Sequence, residues 1–313
     1  MISLACTEKD QIFPPQSSWV EHGPILEPGP PGAWDVRLHG AISPATVIKK
    51  DGIYFLYYIG ADGDRSTDGG PRHRALGVAT SSDGIHFGKY DMNPILTFLP
   101  HGNEEEGIFS ASATVDDKGK IFLYYSACDA GDSFSELVNC DGRVAVSSDG
   151  LDFVDLGTVL DHADHELWGF GDEIFPVGCF QNRGNWYVYY IAKGKEAMWD
   201  LGLAMGKSPM RLDHSASVLT WGDYVVGGGD PIPLDGDIQG ISLRRSFEEK
   251  RIELRVFQAA NPGKLSRPAR VYRFPNVDHV TVLKDEKTNS WFMYYLGKEN
   301  DTNYIGVKTA AIR

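Results

Sequence analysis

The chain is expected to fold as an all-β, five-bladed β-propeller of four-stranded antiparallel blades, with an N-terminal strand closing the last blade. Three observations predict this. An aromatic doublet recurs at Tyr57-Tyr58, Tyr124-Tyr125, Tyr189-Tyr190 and Tyr294-Tyr295, at intervals of 67, 65 and 105 residues. The longest interval holds Ile252–Phe257, a strand-like run without the doublet. The chain therefore reads as five copies of one small β unit, and repeats of this length mean propellers or other arrays. The composition agrees, since 35 glycines and 12% aromatic residues lean towards strands and tight turns.

The first unit opens on a short apolar strand, Ala45–Ile48, turns through Lys49–Gly52 and enters the aromatic strand Ile53–Ile59. The second repeats this with Ala113–Val115, Asp116–Gly119 and Lys120–Tyr125, and the third with Val177–Phe180, Gln181–Gly184 and Asn185–Ile191. Glycine with Asp or Asn between β-rich runs is hairpin chemistry. Large apolar residues alternating along the aromatic strand suit packing between neighbouring blades. A third strand and tight turn follow at Ala79–Phe87 and Ala145–Phe153, with a variant at Ala204–Leu212. Outermost strands then read at Asn93–Leu96, Gly157–Leu160 and Ala216–Leu219. The chain ends on Val307–Arg313, the third strand of unit five, and Gly23–Leu26 matches Asn93–Leu96. The N-terminal segment is thus expected to supply the missing outer strand, a closure that removes two exposed edges. Met1–Ser18 has no place in the repeat. A closed ring cannot be cut into independent halves, so residues 1–313 are expected to form a single domain.

A net charge of −13 argues against binding nucleic acid or an anionic membrane through a basic face, and fits a neutral substrate. No stretch approaches a membrane span. Met1–Asp10 has neither a basic leader nor a sustained apolar run, so a cytoplasmic protein is expected. The oligomeric state is not legible. The four cysteines, Cys6, Cys128, Cys140 and Cys179, have no metal-ligand spacing. Free thiols are expected, with a Cys128–Cys140 pair across a loop of unit two as the alternative.

In a propeller the residues just before or on each innermost strand face the axis, and here an acid precedes every blade. Asp35, with His39, precedes blade one; Glu105 and Glu106 precede blade two; Asp172 and Glu173 precede blade three. Asp235, Asp237 and Gln239 precede blade four, and Asp278 with His279 precedes blade five. Arg72 and Arg74 lie in a long insertion of blade one that would reach over the funnel mouth and read hydroxyls or a carboxylate. Trp168, close to Glu173, is the tryptophan best placed to stack on a sugar ring. Asp161–Glu166 has the look of a metal cluster, but with no fixed ligand spacing it reads as a solvated loop.

The chain resembles the five-bladed β-propeller glycoside hydrolases, the superfamily of families 43, 32, 68, 117 and 130. The resemblance rests on Trp34-Asp35 followed by Ser43–Val47, then Gly52–Tyr58, then Leu76–Phe87, and it covers the chain from about Pro24 onward. It implies a glycosidase with its carboxylates in the axial funnel: Asp35 as base or nucleophile, Glu106 as stabilising acid and Glu173 as proton donor. His39, Arg72, Arg74, Trp168, Asp172, Asp237, Gln239 and His279 are the candidate substrate contacts. A small glycoside cleaved in exo mode is implied, a furanoside first. No cofactor is implied, although an axial histidine such as His279 leaves room for a central Ca2+. Two departures keep other readings open. Ser43 stands where family 43 usually has Asp, which fits a non-catalytic carbohydrate-binding propeller, and the invertase-type signatures are absent. Phosphorolysis as in family 130 would need a cationic site, for which Arg72, Arg74, Arg244 and Arg245 are the candidates. Glycosidic cleavage itself needs one carboxyl held protonated and another held ionised, and acids crowded in a funnel drive such a split.

Overall fold

The computed structural model describes residues 13–36, 43–62, 74–97, 107–130, 137–164, 170–194, 199–214, 219–220, 232–234, 237–239, 241–246, 251–256, 270–274, 278–300 and 302–312. Among these there is no α-helix. The chain opens on β1 (Val20–Leu26). Blade one is β2 (Ser43–Lys50), β3 (Ile53–Ala61), β4 (Arg74–Ser81) and β5 (Gly88–Lys89), paired in that order. Blade two is β6 (Ala111–Val115), β7 (Ile121–Ala130), β8 (Leu137–Ser147) and β9 (Val154–Leu160). Blade three is β10 (Phe170–Asn182), β11 (Asn185–Gly194) and β12 (Trp199–Ser208), with β13 (Arg211–His214) and β14 (Leu219–Thr220) both pairing the outer edge of β12. A separate hairpin, β15 (Ile232–Leu234) and β16 (Asp237–Gln239), precedes the three described strands of blade four: β17 (Ile241–Ser246), β18 (Arg251–Val256) and β19 (Arg270–Phe274). Blade five is β20 (Asp278–Asp285), β21 (Ser290–Glu299) and β22 (Thr302–Ala311), completed by β1.

The expected closure is present, because β1 pairs antiparallel with β22 from Val20–Thr309 to Leu26–Ile305. The doublet-free run beginning at Ile252 is β18, the central strand of its sheet. Asn93–Leu96 is less of a strand than its pattern suggests, contributing a bridge from Leu96 to Leu76 while Gly88–Lys89 takes the rest of the edge. The Asn93 amide fills the gap: its Oδ1 accepts from the Val78 N–H at 2.9 Å and its Nδ2 donates to the Val78 carbonyl at 2.9 Å.

Adjacent residues of a strand point to opposite faces, so the two tyrosines of each doublet meet different neighbours. The first tyrosine faces the next blade. Tyr57 donates to the Gly150 carbonyl at 3.1 Å, Tyr124 to the Pro209 carbonyl at 3.0 Å and Tyr294 to the Gly84 carbonyl at 2.9 Å. Each acceptor lies in the turn after the third strand of the following blade. Burial pushes all three phenols well above their ordinary range, so they stay hydroxyl donors. The shared Ser-Ser-Asp-Gly turn builds the Gly84 and Gly150 acceptors. Asp83 Oδ1 accepts from the N–H groups of Ile85 and His86, both at 2.8 Å, and Asp149 Oδ1 does the same for Leu151 at 2.9 Å and Asp152 at 3.0 Å. Gly84 and Gly150 take φ of 79° and 85°, which spares a side chain the left-handed penalty.

The innermost strands β20, β2, β6 and β10 lie side by side in that order. Hydroxyls tie them together: Thr46 Oγ1 accepts from the Ala113 N–H at 3.3 Å, and Ser112 Oγ accepts from the Cys179 N–H at 3.0 Å. The apolar core is therefore distributed between blades. One cluster joins Tyr57 and Leu76 of blade one to Leu123 and Tyr125 of blade two, and another joins Leu56 and Tyr58 to Phe292 and Tyr294 of blade five. At the seam between blades five and one, Asp285 on β20 accepts from Lys49 Nζ at 2.7 Å, from Thr288 Oγ1 at 2.8 Å and from the Tyr54 hydroxyl at short range.

Candidate active site

The second tyrosine of each doublet points to the preceding blade, and in three blades its hydroxyl meets a carboxylate that is itself paired with a cation. Tyr125 donates to Asp155 at 3.0 Å, and Arg143 pairs with that same carboxylate. Burial alone would raise the Asp155 carboxyl, but Arg143 and the Gly157 N–H outweigh it and hold the group below its ordinary range. Tyr295 donates to Glu21, which pairs with Lys308. Tyr58 donates to Asp35 at 3.3 Å, and Asp35 pairs with Lys89 at 2.6 Å.

Asp35, expected above as base or nucleophile, shares this arrangement. Asp35 is 3% exposed, and its carboxylate meets Tyr58 of β3 and Lys89 of the outermost strand β5. A carboxylate enclosed on these terms anchors the lead-in segment against blade one. Asp155 and Glu21 are held by the same kinds of partner.

The axial ring itself follows from the register. Ser43, Phe175 and Asp278 stand opposite Ile59, Ile191 and Leu296, the residue after each doublet, and Ser110 is hydrogen-bonded to the equivalent Ser126. Ser43 is buried. Ser110 Oγ is buried with no hydrogen-bond partner among the described residues. His279 is bulged out of the pairing after Asp278 with φ of 40° and is half-buried. Of the non-glycine residues with positive φ among those described, only His279 and Asn139 lie outside hairpin turns. Such strain concentrates at sites whose surroundings over-determine it.

Glu173 lies two residues before Phe175, at the start of the innermost strand of blade three, and is half-buried. Its backbone makes a single parallel pairing with Cys140 of β8, which joins the sheets of blades two and three. Arg74, at the start of β4, bridges to Gly107 and lays its guanidinium over the Phe109 ring at 4.5 Å. A Cβ on Gly107 would fall 2.7 Å from the Arg74 carbonyl oxygen, so this approach requires glycine. Cys128 and Cys140 form a disulfide, against the expectation of free thiols, and Cys179 is a buried thiol.

Glu106, His39, Arg72 and Trp168 lie outside the described residues. Asp172 lies on β10, and Asp237 and Gln239 lie on β16, within the separate hairpin that precedes blade four. Asp141, Asp161 and His162 come together with ligand atoms within 4.8 Å of one another. Asp141 Oδ1 is already engaged there, by the His162 N–H at 3.0 Å and by its Nδ1 at 2.6 Å.

No protein-family model and no curated protein matches the chain. Solved structures do. A glycosyl hydrolase from Bacteroides ovatus is similar over 94% of this chain and 92% of its own, with a TM-score of 0.61 and 15% identity. A β-1,2-mannobiose phosphorylase from Listeria innocua is similar over 94% and 97%, with a TM-score of 0.62 and 15% identity. The GH32 β-fructofuranosidase of Bombyx mori is similar over 91% of this chain but 61% of its own, with a TM-score of 0.63 and 16% identity. The fold is thus the five-bladed propeller shared by glycoside hydrolases and glycoside phosphorylases. The families named among these neighbours are GH32 and GH130, so they lend no particular support to family 43.

Sequence reasoning passed over Ser110 and Asn139, and held the disulfide only as the alternative to free thiols. The first two were legible only as residues beside strand ends, since an unpartnered hydroxyl and a left-handed φ are properties of packing.

Proposed function

We propose that the protein is a carbohydrate-active enzyme that hydrolyses the glycosidic bond of a small glycoside, with Glu173 protonating the leaving oxygen. The observation that supports this most is the half-buried Glu173 at the funnel end of an innermost strand, on a fold shared with glycosidases. A proton donor needs that position, shielded enough to hold its proton yet open to the substrate. Cleavage also needs a second carboxylate, as nucleophile or as base for water. With Asp35 enclosed between Tyr58 and Lys89, we take Glu106 and Asp278 as the first candidates for that role. Ser110 and His279 are the polar groups of the axial ring suited to sugar hydroxyls, and a furanoside remains the first substrate to test.

Phosphorolysis is the second reading, favoured by Arg74 beside the funnel mouth and by the phosphorylase among the structural neighbours. A panel of aryl glycosides and disaccharides, assayed with and without inorganic phosphate and followed by NMR, tests both. Free sugar formed without phosphate supports hydrolysis, and a sugar phosphate formed only with it supports phosphorolysis. No turnover of any glycoside, with sugar binding retained, would leave a binding propeller.

A further inference from the structure

We propose that the Cys128–Cys140 disulfide is a positioning element of the candidate active site, pinning the β7–β8 hairpin so that it sets Glu173 against the lead-in of blade two. The inference rests on Glu173 as the proton donor. A relay of single contacts crosses three blades at the level of the funnel mouth. Arg74 of blade one bridges to Gly107, and Gly107 exchanges both backbone hydrogen bonds with Cys128, at 3.2 and 3.1 Å. Cys128 is bonded to Cys140, and Cys140 pairs with Glu173. The disulfide lies within a single register shift of the hairpin, between the pairs Ala127–Asp141 and Asp129–Val138. Asn139, with φ of 51°, sits in that slip immediately before Cys140. A bulge re-aims a strand but leaves its register weakly specified. Here the sulfur bridge supplies the missing specification at the one level where the hairpin holds Gly107 on one side and Glu173 on the other. Both cysteines are fully buried, so the bond serves as a fixed clasp and not as a switch exposed to solvent reductants.

The test begins with peptide mapping of the folded protein without reductant, where linked Cys128 and Cys140 are expected and two free thiols would overturn the proposal. Amide hydrogen exchange is then compared between wild type and the C128A/C140A variant. Exchange at Gly107 and Glu173 is expected to quicken about tenfold while Val78 in blade one is unchanged. Tyr125→Phe, which weakens the same blade elsewhere, is expected to leave Gly107 and Glu173 at their wild-type rates. Unchanged exchange at both residues in the double variant, or equal quickening in Tyr125→Phe, would overturn the assignment. On a cleaved glycoside, kcat is expected to fall about tenfold with KM within about threefold, as for misplaced catalytic groups. Should no glycoside be cleaved, the exchange result still decides the positioning claim separately from the enzyme reading. Should the double variant not fold, the same amides are read in C128V/C140A, which refills more of the volume the sulfurs occupied.

Discussion

Replacing Asp285 by Asn tests the seam that closes the ring. Asp285 reaches from blade five to Lys49 and Tyr54 of blade one and is 5% exposed, so removing its charge leaves the Lys49 ammonium beside a neutral amide. Burial pushes the carboxyl up, but Lys49, Tyr54 and Thr288 outweigh it and hold the group down to about 2, against an ordinary 3.8. At about 1.4 kcal/mol per pH unit, that difference makes the ionised group worth about 2 kcal/mol to the folded state. For a chain of this size the loss lowers Tm by about 4 °C at pH 7. The sign follows from a depressed pKa. The contribution is complete above the unfolded carboxyl's pKa near 4 and disappears as pH falls through about 2. Urea melts of wild type and Asp285→Asn at pH 7 and near pH 2 measure it, with the gap expected to close at the acid end. Equal stability at pH 7, or a gap of the same size near pH 2, would refute the reasoning.

Two further substitutions separate structural from chemical roles. Asp35→Asn removes the partner of Lys89 and Tyr58, and is expected to cost about 1–3 kcal/mol in a denaturant melt while leaving kcat near wild type. Loss of turnover with stability intact would return Asp35 to the catalytic group. Tyr57→Phe deletes one interblade hydrogen bond, to Gly150, and is expected to cost about 1 kcal/mol, read as an earlier thermal midpoint with unchanged KM.

Much of the architecture was legible because the tyrosine doublet does two jobs at once. Alternation along a strand sends Tyr57, Tyr124 and Tyr294 to the next blade and Tyr58, Tyr125 and Tyr295 to the preceding one, so ring packing leaves a mark at fixed intervals. The match between Gly23–Leu26 and Asn93–Leu96 likewise foretold β1, since a strand completing a blade must meet the same neighbours as its counterparts. Asp35 read as an axial acid because of its phase before blade one. What that phase could not show is Lys89, 54 residues away and brought to Asp35 only by folding. The Cys128–Cys140 disulfide ranked behind free thiols for a related reason: its two cysteines are 12 residues apart, a separation that decides nothing until β7 and β8 are seen to pair.

The central claim is that Glu173 gives its proton to the departing oxygen, and leaving-group dependence in Glu173→Gln tests it most directly. On a glycoside with a poor leaving group, such as a sugar or an alkyl alcohol, kcat is expected to fall by about 10²–10⁴. On a dinitrophenyl glycoside, whose leaving group needs no proton, kcat is expected to stay near wild type. Equal losses on both substrates, or no loss on either, would contradict the assignment.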